Sequence, residues 1–310
     1  MTNNLRSVWH EGELTVQKLM GTDKLMADIG PKFIREFMPL QHREFFESLT
    51  MILIGFNDHH SDIHASVFFG CVGFIQSTSE NELVINTQNS MGDFMRDELV
   101  IGSRIGLLGI QFDTKRRNRV NGTIIDISQK YIKVKVLQSY GNCPKYIQPK
   151  IVLNHPDYAN FSTLTRQQLT QRDHDLITHS DALFIASSFN DGKSLNSRGA
   201  DISHRGGEAG FVSINPNGQL LMDDYVGNGF FNTLGNLHQN PVASLLFFNW
   251  KKGHILKIQA ATEIYGNDKQ SSPIKLAIGE NKDKKKTGIT LCFTVKEIEY
   301  YYNGLAYKTK

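Results

Sequence analysis

The sequence predicts a mainly β chain (β+α) with two antiparallel barrels in tandem and short peripheral helices. Three observations lead there. At 310 residues the chain is longer than the size at which a single hydrophobic core usually stops growing. Short apolar or alternating runs, separated by Gly, Pro and Asn, outnumber helical patterns. A displacement of 137 residues also brings one half onto the other without a gap: Gly73-Phe74 falls on Gly210-Phe211, Leu83 on Leu220, Gly92 on Gly229, Phe94 on Phe231 and Leu108 on Leu245. Apolar runs keep that register, Leu83–Ile85 on Leu220–Met222 and Ile105–Ile110 on Val242–Phe247. A match of glycines, aromatics and apolar runs over this length points to duplication.

Taken in order, residues 1–42 form an N-terminal helical segment. Leu14, Leu19 and Met20 mark a helix over Glu13–Met20, and Phe33 and Phe37 a second over Lys32–Phe37. The first barrel is expected over residues 43–137. The helical turn Gln41–Leu49 feeds the apolar strand Met51–Ile54, and a hairpin follows near Ser77–Glu82. A linker spans 138–175, where Pro144, Pro149 and Pro156 break structure before a helix at Thr163–Ile177. The second barrel takes 176–310, with its first strand at Ala182–Ala186 and a strong turn at Asn215-Pro-Asn-Gly218. The alternating run Gly288–Val295 closes the sheet.

Composition narrows the function classes. A net charge of +3 and a pI near 8.6 are too mild for a nucleic-acid protein, and Lys115–Arg119 lacks the interleaved aromatics that base stacking needs. Lys282–Lys286 reads as a solvated hairpin tip. Cys71, Cys143 and Cys292 stand far apart with no Cys-x-x-Cys pair, which fits neither a disulfide framework nor a zinc knuckle. No signal-peptide pattern opens the chain and no run approaches a membrane span. A cytoplasmic protein with no membrane partner is the expectation.

The stretch Ile202-Ser-His-Arg-Gly-Gly-Glu-Ala-Gly-Phe211, then Asp223–Asn236, then Asn240-Pro241, concentrates the chemistry. Ser203, His204, Arg205, Asn228, Asn232, Thr233 and Asn236 crowd connections rich in glycine. Glycines at 206, 207, 227, 229 and 235 are expected to take positive φ or approach a ligand closely, so that backbone N–H groups join those side chains around an anion. A phosphate-bearing ligand suits that set.

Together with His10-Glu-Gly-Glu13 and Gln17, Met38–Phe46, Arg116–Gly122 and Ser139–Gln148, these segments resemble the pyridoxamine 5'-phosphate oxidase-related flavin-nucleotide-binding proteins. The resemblance is to a two-barrel branch and covers nearly the whole chain. It implies tandem split β-barrels of the FMN-binding type, with FMN at the barrel junction. Arg205 would then offer a charged fork to the phosphate beside Ser203 and His204, while Asn232, Thr233 and Asn236 would add hydrogen bonds. Asp224, Tyr225 and Asn228 would lie near the ribityl chain or ring. Arg116, Arg117, Asn118 and Arg119 precede the strand that faces the ring in the oxidases, where a donor near N1 and O2 stabilises negative charge on reduced flavin. One departure stands out: counted back from Asn240-Pro241, Asn232-Thr233 occupies the place of an Arg-Lys pair.

The implied function is an FMN-dependent oxidoreductase acting on a small-molecule substrate or electron donor that the sequence does not name. The alternative is a non-catalytic flavin or haem carrier or sensor. The oxidases' substrate-phosphate residues do not map here. The first copy carries Met95, Arg96 and Asp97 where the second has Asn232, Thr233 and Leu234, and Asp97 would repel a phosphate. One FMN per chain follows, gripped by the second copy and completed by the first copy of the same chain or of a homodimer mate. His59, His60, Asp62 and His64 read as a polar hairpin tip rather than a metal site. Cys143 reads as a structural thiol, and His10 and Glu13 as a helix cap or a lid over the flavin.

Overall fold

The computed structural model describes residues 7–87, 98–154, 161–193, 195–266 and 285–309. Helices α1 (Glu11–Leu19), α2 (Asp23–Phe33) and α3 (Leu40–Glu47) lead into strands β1 (Met51–Asn57), β2 (Ile63–Phe69), β3 (Ile75–Ser79), β4 (Glu82–Asn86), β5 (Arg104–Ile110), β6 (Arg117–Ile127) and β7 (Tyr131–Gly141). The connection carries β8 (Val152–Asn154), β9 (Ser162–Arg166) and α4 (Gln171–His179). Next come β10 (Ala182–Phe189), β11 (Gly199–Gly206), β12 (Val212–Ile214), β13 (Leu220–Tyr225), α5 (Asn232–Gln239), β14 (Val242–Asn249), β15 (His254–Tyr265), β16 (Lys286–Tyr302) and β17 (Tyr307–Thr309).

Two antiparallel sheets share one strand order. The first runs β2-β1-β5-β6-β7-β4-β3 and the second β11-β10-β14-β15-β16-β13-β12. Even the irregularities repeat, with a register shift between Asn121 and Gly122 in β6 and between Gln259 and Ala260 in β15. A bulge kept in place in both halves is a feature of the fold, not a defect. The ladders align the copies residue by residue. Val67, Leu53, Leu108, Arg119 and Tyr140 lie side by side across the first sheet, and His204, Phe184, Leu246, Lys257 and Glu299 across the second.

That alignment keeps the offset of 137 residues from β2 to β4 but adds one residue before β5 and β14. Leu108 therefore matches Leu246, not Leu245, and the gapless register over Ile105–Ile110 is one residue out. The faces confirm it. Leu108 and Leu246 belong to the core between the sheets, whereas Leu245 lies inside the second. A slip of one residue exchanges the two faces of a strand.

Three cores follow from the alternation. Ile52, Ile54 and Phe56 fill the first barrel with Leu107, Val120 and Val134. Leu183, Ile185, Leu245 and Phe293 fill the second. Leu53, Val67, Leu108, Phe184, Ile202 and Leu246 form the layer between them. β11 packs on β1 and β5, and β2 on β10 and β14. Because β1 and β10 are covered on both faces, they read as continuous apolar runs.

Several expectations change. Lys32–Phe37 is not a helix: α2 ends at Phe33, and Arg35 bridges to Ser139. The helix expected over Thr163–Ile177 divides into β9, which pairs with β16, and α4, started by a capping box at Thr170 and Asp173. β7 runs into the expected linker as far as Gly141. β16 lies between β15 and β13 rather than at an edge. Gly92, Phe94, Met95, Arg96 and Asp97, and the run Lys282–Lys284, lie outside the described residues. Among the described residues, no helix is long and apolar enough to cross a membrane.

α1 closes the second barrel by lying directly on α5. A Cβ on Gly12 would stand 2.2 Å from the Gly235 carbonyl oxygen, and one on Gly235 2.6 Å from the Glu13 nitrogen. Gly12→Ala is therefore expected to cost about 1–3 kcal/mol, the usual range for overpacking. Urea denaturation measures it, and an unchanged midpoint would contradict this docking.

Candidate functional site

A solvent-open cleft lies between the barrels. The first barrel contributes Leu108, Arg117, Arg119, Asn142, Cys143, Lys145 and Tyr146. The second contributes β11, the end of β13, the glycine loop after it and the start of α5. Both walls come from one chain.

Its floor is a buried polar network. Arg119 Nη1 donates to Asp201 Oδ2 at 2.8 Å, to Tyr140 Oη at 3.0 Å and to Asn232 Oδ1 at 3.2 Å, and Nη2 donates to Ser203 Oγ at 2.6 Å. Thr233 Oγ1 donates to the same Ser203 oxygen at 2.9 Å. Behind Asn232, its amide nitrogen donates to Glu13 Oε1, and the His10 N–H donates to Glu13 Oε2 at 2.8 Å. Burial pushes the Glu13 carboxyl up to about 8 and the His10 imidazole down to about 4. Gly12 N–H donates to His10 Nδ1, so Nε2 donates to Asn236 Oδ1 at 2.9 Å. Asn236 in turn donates to the Ser187 carbonyl and hydroxyl. His10 and Glu13 thus form the capping box of α1 and brace the floor from behind; they are not a lid.

Above the floor the charges are looser. Arg117 Nε donates to the Cys143 carbonyl at 2.6 Å, and Nη1 donates to His204 Nδ1 at 3.1 Å. Among the described residues no carboxylate pairs with Arg117, and burial together with Arg119 and Arg205 lowers it to about 10. Arg205 stands 3.7 Å from Asp224, whose carboxyl is pushed up by burial while Arg205 and Thr287 pull it down. Lys145 and the ring pair Tyr146–Tyr225, centroids 5.2 Å apart, face the same space. α5 opens into it from Phe231, a left-handed residue at φ 58° with no side-chain cap on the helix N-terminus. Among the described residues, four buried donors on the cleft walls have no protein acceptor: Arg119 Nε, Asn142 Nδ2, His204 Nε2 and Arg205 Nε. Buried polar groups are nearly always bonded, so such a set marks where a ligand's acceptors belong.

The corresponding place in the other half is much smaller. Ser66, Val67, Leu246, Ile255, Lys257 and Tyr301 line it and match Ser203, His204, Leu108, Arg117, Arg119 and Asn142 in the cleft. Phe68 and Phe69 replace Arg205 and Gly206. Lys257 keeps the place of Arg119, reaching Glu299 and His64 where Arg119 reaches Tyr140 and Asp201.

Of the residues singled out in the sequence, Arg117, Arg119, Ser203, His204, Arg205, Asp224, Tyr225, Asn228, Asn232 and Thr233 meet in the cleft. Three do not. Arg116 lies over the Phe45 ring and donates to the Gln41 carbonyl. Asn118 points to the opposite face of β6, as strand alternation requires. Asn236 lies beneath the floor. The hydroxyl of Thr233 and the amide of Asn232 are engaged within the protein and do not replace an Arg-Lys pair as cations. Of the five glycines, only Gly229 takes positive φ. Gly206 is needed for close approach instead, since a Cβ there would meet the Tyr146 carbonyl oxygen at 2.1 Å. Asp201, Tyr140, Asn142, Lys145 and Tyr146 were not anticipated. Asp201 lies two residues before Ser203 on the same strand face, a spacing that could have found it.

Outside the cleft, Asp58, His59 and Glu98 bring ligand atoms within 4.8 Å of one another. Asp58 already accepts from the N–H groups of His60 and Asp62 and from His64.

No family model matches the chain, and no curated protein matches it. Similar solved structures include three bacterial proteins. HupZ of Group A Streptococcus is 16% identical, with TM-score 0.29, over 42% of this chain and 92% of that one. A Clostridium acetobutylicum protein related to general stress protein 26, of the pyridoxinephosphate oxidase family, is 16% identical, with TM-score 0.28, over 45% and 91%. An FAD-binding protein of Mesorhizobium loti is 8% identical, with TM-score 0.28, over 45% and 96%.

The raised Glu13 carboxyl sets a pH dependence. The folded chain holds a proton up to about 8 that the unfolded chain releases near 4.5, so stability present below 4.5 is lost as pH rises toward 8. Wild type is expected to weaken relative to Glu13→Gln across that window by on the order of a few kcal/mol. Urea midpoints at both ends measure this, and parallel pH profiles would contradict it.

Proposed function

We propose that the chain binds FMN in the inter-barrel cleft and works as a flavin-dependent oxidoreductase. The observation that carries this reading is the convergence of four acceptorless buried donors with the cations Arg117, Arg205 and Lys145 on one aromatic-lined cleft. An acceptor-rich anion with a planar ring answers all three features. Arg205 and the N-terminus of α5 suit a phosphate, through a charged fork and a helix dipole. Arg117, with no carboxylate partner among the described residues, supplies positive charge on the opposite wall; Arg119 does not, because Asp201 balances it. Tyr146 and Tyr225 offer faces to a ring.

When bound, the flavin would supply the electron chemistry, leaving to the protein anchoring, orientation and field. Apart from Arg119 Nε the floor network is closed on itself, so the other side chains that remain for a ligand are Arg117, Arg205, Lys145, Asn142 and His204.

Purified protein is expected to show oxidised-flavin absorption bands and to release FMN identifiable by mass. A colourless protein that takes up no added FMN would contradict the proposal. Arg205→Ala is expected to weaken FMN binding by about 1.5–3 kcal/mol, the range for a hydrogen bond to a charged group. Thr233→Ala should cost less, since its hydroxyl already serves Ser203, and Arg116→Ala should leave affinity unchanged. Fluorescence titration measures all three.

A further inference from the structure

His204 is fixed in one tautomer by its neighbour. Arg117 Nη1 lies 3.1 Å from His204 Nδ1, and a guanidinium has donors only. Nδ1 must therefore present its lone pair, so the ring is neutral and its proton sits on Nε2. Burial and the positive charges of Arg117, Arg205 and Lys150 hold the imidazole well below its ordinary range, which favours the same state. That Nε2–H is buried, has no acceptor among the described residues and belongs to a ring lining the cleft. Alternation along β11 separates it from the groups suited to a phosphate. Ser203 and Arg205 turn toward Thr233 and Asp224, His204 toward Arg117.

We propose that His204 is a specificity-determining residue that reads an uncharged acceptor on the ligand's ring system, a carbonyl oxygen or ring nitrogen, through its Nε2–H. The inference rests on the cleft being a flavin site. A neutral donor locked beside a cation suits such an acceptor, because it contributes a hydrogen bond without adding to the charge that Arg117 already supplies. Arg117 acts here as a positioning residue. It fixes which nitrogen of His204 can donate, as second-layer groups fix the tautomer of functional histidines elsewhere.

The fold should tolerate an apolar residue at this position, since its counterpart in the first barrel is Val67, in the same core layer. The test titrates apo wild type, His204→Leu, His204→Gln and Arg205→Ala with FMN and with riboflavin, which keeps the ring and lacks the phosphate. His204→Leu is expected to lose roughly tenfold for both ligands, about one hydrogen bond, while competition by inorganic phosphate stays unchanged. His204→Gln, which retains an N–H, should recover part of the loss. Arg205→Ala should lose FMN affinity and keep that for riboflavin. In ¹⁵N-histidine spectra of the apo protein, His204 should carry its proton on Nε2. Unchanged flavin affinity in His204→Leu, a loss confined to FMN, or a proton on Nδ1 would overturn the inference alone. Wild type that binds neither flavin would overturn the cofactor reading and this inference with it.

Discussion

The ion pair between Arg119 and Asp201 is the constraint around which the inter-barrel region is organised. Each partner comes from a different barrel, both are almost fully buried, and they meet at 2.8 Å. A buried pair gains little over a well-packed apolar contact, but loss of one partner leaves an uncompensated charge at a cost of several kcal/mol. The pair thus specifies how β6 lies against β11 more than it adds net stability. The same guanidinium orders Tyr140, Ser203 and Asn232, and through Asn232 the arrangement extends to Glu13 and α1. The floor of the cleft is therefore rigid before any ligand arrives, which lowers the ordering cost of binding.

The two halves both keep a buried cation at this place, but among the described residues the cleft is found beside only one of them. Lys257 stands where Arg119 does, pairing with Glu299 of its own barrel and reaching His64 of the other. What differs is bulk. Phe68, Phe69, Ile255 and Tyr301 occupy the places of Arg205, Gly206, Arg117 and Asn142, so apolar or bulkier side chains stand where the cleft has donors and a closely packed glycine. Gly206 contributes too, because it allows the close approach of the Tyr146 backbone to β11 that forms part of the cleft wall.

Much of the cleft was legible in the sequence because donors and glycines cluster between Ser203 and Asn236, and because arginine at alternate positions on a strand, as with Arg117 and Arg119, places two cations on one face. Strand content was equally legible from β1 and β10, whose unbroken apolar runs reflect burial on both sides. Other features depend on contacts far apart in the chain. Alternation separates Arg116 from Arg117, but nothing local says which of the two faces enters the cleft and which packs on Phe45. The use of Asn232 and Thr233 inside the floor depends on Glu13 and Ser203, distant in sequence. The one-residue shift between β5 and β14 escapes a pattern of apolar residues because both faces of these strands are apolar. β9 was hidden because an exposed five-residue strand, Ser162–Arg166, carries no alternation of burial.

The central claim is that two structurally equivalent halves enclose a single flavin site. Isothermal titration of the apo protein with FMN tests it most directly. One site per chain is predicted, with heat of binding lost in a variant that replaces both Arg117 and Arg205 by Met. Two sites per chain, or undiminished binding in that variant, would contradict the account.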